Sequence, residues 1–157
     1  MPEAAVSGSR SAVGRNANAG VLRRFGAIAY DTLIVVALLA IVTFPFIPFL
    51  GGKVLVPSEV GALAYVYRAV QALVVVAFFG FFWTTRGQTI GMLAWRLKLL
   101  RADGGSITWR IALIRIACAC VSAAAGGLGY FWIWFDRDRL AWHDRWSGTR
   151  VVVLPKQ

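Results

Sequence analysis

A chain of 157 residues that is 59% hydrophobic and only 15% charged is too apolar to be a soluble domain of its size, and a bilayer is the solvent that resolves the excess. Its 17 basic residues against 7 acidic ones give a net charge of +10, but the cations cluster beside hydrophobic stretches, as topology signals and contacts to anionic lipid do. No nucleic-acid-binding motif accompanies them, so nucleic acid is set aside as a partner and membrane lipid is expected.

Residues 1–22 are rich in Ser, Gly, Ala and Asn and carry no continuous apolar core, which reads as a disordered basic tail and not as a cleaved signal peptide. Arg10, Arg15, Arg23 and Arg24 precede the first apolar stretch, so the N-terminus is expected in the cytoplasm of a multi-pass cell-membrane protein. That stretch, Phe25 to Leu50, exceeds the ~20 residues a helix needs to cross the hydrocarbon core. Asp31 is its one Asp, Glu, Lys or Arg, and a carboxylate there costs roughly 2.5–3.5 kcal/mol at the bilayer centre, so it needs a partner or a task. Pro45 and Pro48 among Phe44, Phe46 and Phe49 kink or end the helix at the far interface. A short external turn through Lys53 and Glu59 leads to a second span, Val60 to Thr84. Within it Arg68 and Gln71 share a face, and Arg68 is expected to snorkel to the outer headgroups.

Gly87 and Gly91 break the second span. Thr89–Trp95 fits a short helix lying in the interface, with Ile90, Leu93 and Ala94 toward lipid. Arg96–Ala102 alternates polar and apolar before an Asp103-Gly104 turn, and β-branched Thr149–Leu154 is its natural partner in a small cytoplasmic β-pair. The third apolar segment, Ile107 to Phe135, is either spanning or re-entrant. As a single span it puts Arg137, Arg139, Arg145, Arg150 and Lys156 outside, against the positive-inside tendency, and two crossings need about forty residues. The interruption at Ala123–Gly129 permits a helix from Ser106 to Ala125, a turn at Gly126-Gly127 and a short return, and this re-entrant form is preferred. The expected fold is all-α and membrane-embedded: two spanning helices, the third segment, the interfacial helix and the β-pair.

Metal and cofactor chemistry finds no support. Cys118 and Cys120 are turned ~200° apart on a helix, unsuited to a shared metal or a disulfide, and one histidine makes no zinc site. His143 stands beside Asp144 without a nucleophile motif and reads as a surface residue in a turn, so no enzyme is expected.

Arg23-Arg24 followed by Asp31, then GQTIGMLAWRLKLLRADGGSITWRIALIR, then LAWHDRWSGTRVVV resemble, in order, the blocks of the RDD family of small membrane proteins. The resemblance covers residues 23–154, leaving 155–157 as a short tail. It implies that the arginine and two aspartates of the family name are Arg24, with Arg23 the alternative, Asp31 and Asp144. It also implies a part in transport, without a substrate. This chain departs from the family pattern at Gly91-Met92, where Gly-Lys is usual, and at Ser147-Gly148-Thr149, where Ala-Gly-Thr is common.

Arg24 and Asp31 are seven residues apart, two turns on one helix face, so ~10 Å of rise separates them and an intermediate is needed. A cytoplasmic tail folding back sets Asp144 against Arg24, with Trp142 and Trp146 in the interfacial belt. Asp31 then either bonds hydroxyls on adjacent turns, such as Thr32, or lines a wet cavity and changes protonation as a cation or proton passes. The function expected is transport of a cation, proton or small solute, with a path between subunits of a homo-oligomer. The alternative is an accessory protein that organises anionic lipid or a membrane partner through Arg86, Arg96, Lys98, Arg101, Arg110 and Arg115.

Overall fold

The computed structural model describes residues 18–51, 53 and 57–155. Most of the basic tail, part of the external turn, and Lys156 lie outside the described residues. Helix α1, Val21–Thr43, continues as a 3-10 turn over Phe44–Phe49, where Pro45 and Pro48 have no N–H to extend the α pattern. After the single turn α2, Pro57–Val60, the chain breaks at Gly61 and forms α3, Ala62–Thr85. Val21–Pro48 and Ala62–Thr85 are the two described helices long and apolar enough to cross a membrane. Few residues of either are buried within the protein, so both present an apolar surface to the lipid that a membrane supplies. Tyr67 bridges them: its hydroxyl is 3.2 Å from Thr43 Oγ1 and accepts from Gln71 Nε2 at 2.5 Å, while Arg68 is exposed.

Helix α4, Ile90–Ala94, is capped by Thr89, whose hydroxyl accepts from Met92 N. Ile90 and Leu93 are exposed while Gly91 and Met92 are buried, the arrangement of a helix lying with one flank outward. Strand β1, Leu97–Arg101, follows. The third apolar segment is α5, Trp109–Ala124, then a turn with Gly126 at φ +69 and Gly127 at φ +79, then α6, Leu128–Phe131, ending in a 3-10 turn over Trp132–Trp134. Left-handed backbone at two consecutive positions suits glycine and bends the segment by 104°. Helix α7, Trp142–Ser147, and strand β2, Thr149–Val153, complete the chain.

Strands β1 and β2 pair antiparallel, Leu97 opposite Val153 and Arg101 opposite Thr149. Leu97, Leu99 and Val151 turn inward onto Ala19, Ala27, Met92 and Ile107, the main buried cluster. The residues before α1 join the same sheet: Asn18 bridges Val152, and Ala19 N donates to Val151 O at 2.8 Å. Asn18 also donates through Nδ2 to the carbonyl of Asp138 at 2.6 Å. The element before α5 and the residues after Trp134 are thus fastened together at the end where α1 starts. Both ends of the third segment lie at this end of the molecule, and its two halves, bent at the glycine turn, form either a re-entrant hairpin or one broken span.

Candidate functional site

One carboxylate ties this end of the molecule together. Asp144, at 0% exposure, accepts from the N–H of Ala141 at 3.1 Å and so stabilises the first turn of its own helix. Its Oδ2 also accepts from Arg24 Nη1 at 2.5 Å, and its Oδ1 from Arg115 Nη1 at 2.6 Å. Arg24 extends the tie through Nε to Ala19 O and Nη2 to Arg139 O. Arg115 extends it to Thr149 Oγ1 at 2.6 Å, and its guanidinium carbon lies 5.3 Å from the centroid of the Trp83 ring. Asp144 therefore joins α1, α5, α7 and, through Thr149, β2.

Arg24 reaches this position because Val21, Arg24, Ala27 and Asp31 form the buried face of α1. Arg115 corrects an expectation. It is no headgroup contact but is 5% exposed, because it falls with Ala112 and Ser122 on the buried face of α5. A cation in a stripe of small residues was the available signal. Of the other cations expected to face lipid, Arg86, Arg96 and Arg110 are exposed, Lys98 is half-buried, and Arg101 pairs with Asp103 at 2.7 Å. His143 also departs from expectation: it is buried in α7, its ring 4.6 Å from that of Tyr130.

Burial and then the neighbouring Arg115 push the His143 pKa down to about 3, against the smaller opposing pull of Asp144. The ring is neutral near pH 7, so its Nε2, 3.6 Å from Asp144 Oδ1, makes no ion pair. Burial alone raises the pKa of Asp144, but Arg115 and Arg24 together outweigh it and hold the carboxyl well below the usual carboxylate range. Both groups lie in α7, outside the candidate spans. Because the folded His143 pKa lies below the unfolded ~6.5, the unfolded chain binds the extra proton, and stability falls as pH drops from about 6.5 toward 3, by at most about 1.4 kcal/mol per pH unit. The contribution of Asp144 is present above the ordinary carboxylate pKa and is lost only as pH falls through its lowered folded value. Unfolding temperature measured in detergent between pH 6 and 4 is expected to decline, and His143→Gln to remove one proton's worth of that slope.

The second aspartate belongs to a separate cluster. Asp31, 5% exposed, accepts from Thr89 Oγ1 at 2.5 Å through Oδ2 and from Gly91 N at 2.8 Å through Oδ1. Its partners come from the start of α4 and not from Thr32 or neighbouring turns of α1. A Cβ at Gly91 would lie 2.2 Å from the carbonyl oxygen of Ala27, so only glycine lets α4 approach this closely. Among the described residues Asp31 has no ion pair, and Arg24 turns to Asp144 instead. The two clusters meet at a cavity of about 340 Å³ whose walls include Arg24, Asp31, Thr89, Arg115, Tyr130 and His143. Most of the remaining wall is apolar, from Ile28 on α1, Phe79 on α3 and Ile116 on α5. No cluster of metal-ligating side chains occurs among the described residues. Thr89, Gly91 and Tyr130 are residues of this site that sequence reasoning missed, and Arg115 and His143 are residues to which it gave other surroundings.

A family model described as the RDD family matches residues 18–148 of the chain. No curated protein and no solved structure matches it.

Proposed function

The chain belongs to the RDD family of membrane proteins, and from that premise we propose that it is a multi-pass cell-membrane protein, not an enzyme, that moves a cation, proton or small solute by way of the cavity beside Asp31. Its N-terminus, and with it the clamped C-terminal segment, faces the cytoplasm, where its basic residues are favoured. The observation that carries the reading is a buried carboxylate on an apolar helix, without a cationic partner among the described residues, in the wall of a cavity. Two hydrogen bonds offset only part of the cost of placing it there, and intramembrane carboxylates of this kind mark ion and solute paths. Asp144 is the contrast: doubly paired and enclosed, it suits a structural role.

Organisation of anionic lipid by a basic face is the weaker reading. It loses Arg115 to the buried clamp, and Arg101 is paired with Asp103.

Asp31→Asn tests the proposal. The amide keeps an acceptor for one of the two donors from α4, so insertion and folding survive. Flux of monovalent cations or protons into proteoliposomes is expected to drop to that of protein-free vesicles. Undiminished flux removes Asp31 from the mechanism.

A further inference from the structure

The cavity is electrically two-ended. At one end Arg24 and Arg115 share a single carboxylate, Asp144, while Tyr130 and His143 bring no charge, so one positive charge stands uncompensated. The described hydrogen bonds of Arg115 both leave from Nη1, which leaves the Nε and Nη2 edge of a cavity-lining guanidinium without a described partner. At the other end the Asp31 carboxylate, when ionised, holds one negative charge, and two of its roughly four acceptor positions are filled, by Thr89 and Gly91. Arg24 and Asp31 start from positions two helical turns apart, ~10 Å of rise, and at such a separation the ends attract each other less than half as strongly as a contact pair. Between them the wall is apolar, with Ala27, Ile28 and Ile116.

We infer that the cavity binds a small zwitterion whose acidic group meets Arg115, whose ammonium meets Asp31, and whose apolar middle lies along Ile28 and Ile116. A simple cation offsets the charge of Asp31 and leaves the arginine excess buried. A simple anion does the reverse. A molecule with both charges at opposite ends compensates both, and buried charges are tolerated only when paired. At about 340 Å³ the cavity is at the small end of the ~300–1,000 Å³ typical of ligand pockets, which fits a compact solute and not a two-chain lipid. This deepens the transport reading by naming a substrate class, and it rests on that reading for its physiological meaning, not for the binding itself.

The probes are three small molecules of one chain length: aminocaproate, which carries both charges, caproate, which carries only the acid, and hexylammonium, which carries only the base. Cys120 lies on the cavity wall, so its rate of thiol alkylation in the full-length Cys118→Ala protein in detergent reports occupancy. Aminocaproate is expected to protect Cys120 saturably and about tenfold more tightly than either singly charged probe, the gain from one further charged contact. In Asp31→Asn this advantage over caproate should vanish. Ala119→Phe, which places a ring in the cavity beside Arg115, should abolish protection. Caproate protecting as well as aminocaproate, an unchanged zwitterion affinity in Asp31→Asn, or protection by none of the three overturns the inference. Zwitterion binding without flux in vesicles upholds this site and sinks transport; Asp31-dependent cation flux without zwitterion protection does the opposite.

Discussion

Replacing Asp144 by Ala is expected to eliminate the folded protein. The carboxylate is fully enclosed and is the shared partner of two guanidinium groups that are themselves 6% exposed. Its removal leaves both cations buried, and breaking one buried pair alone costs about 3–5 kcal/mol, against a total stability of only about 5–15 kcal/mol for a typical domain. It also frees the N–H of Ala141 and the start of α7. Asp144→Asn, which keeps the shape and loses the charge, should be nearly as damaging. The check is the yield of monodisperse protein in mild detergent with its unfolding temperature; Asp144→Ala melting with the unsubstituted protein would show that the clamp is not needed. Arg24→Met and Arg115→Met should each cost less than Asp144→Ala, because each leaves the carboxylate one cation.

The second large effect is expected at Gly91. A methyl group there would fall 2.2 Å from Ala27 O and 2.8 Å from Asp31 Cγ, and the nearer of these is backbone that cannot swing away. Gly91→Val must therefore lift α4 from α1, which takes the Gly91 N–H and the Thr89 hydroxyl off Asp31. Overpacking costs about 1–3 kcal/mol, and leaving a buried charged acceptor without its donors costs as much again or more. Thr89→Val removes one of those donors and the cap of α4 without the collision, so its loss should be smaller. Equal unfolding temperatures for Gly91→Val and Thr89→Val would mean that the close approach contributes nothing.

Much of the fold was legible along the chain because it depends on local pattern. The two spans follow from uninterrupted apolar length, and the turn between α5 and α6 from consecutive glycines. The β-pair follows from alternation at Leu97–Arg101 and β-branching at Thr149–Val153. The meeting of Arg24 with Asp144 was approached only through the need of Arg24 for an intermediate and the resemblance that singled out Asp144. What stayed hidden is what depends on distant elements. Asp31 takes its hydrogen bond from a hydroxyl 58 positions on, and nothing in the pattern around residue 31 points there. Arg115 sits in a stretch where any basic residue reads as a headgroup contact until the small residues at 112 and 122 are seen to share its face. The burial of His143 follows from α7 packing against α5, again invisible from its neighbours in sequence. The cavity is of the same kind, since its wall draws on α1, α3, α4, α5, α6, α7 and both strands.

Asp144 can engage Arg24 and leave Asp31 to the cavity only with the two ends of the chain fastened on one face of the bilayer. Gly20→Cys and Pro155→Cys, each introduced singly into a Cys118→Ala, Cys120→Ala background, place reporters at these ends, and both positions are accessible on the structure or close to it. With a membrane-impermeant maleimide, both thiols are expected to stay unlabelled in intact cells and to react together once the membrane is permeabilised. Labelling of one in intact cells while the other requires permeabilisation would put the ends on opposite sides and contradict the account.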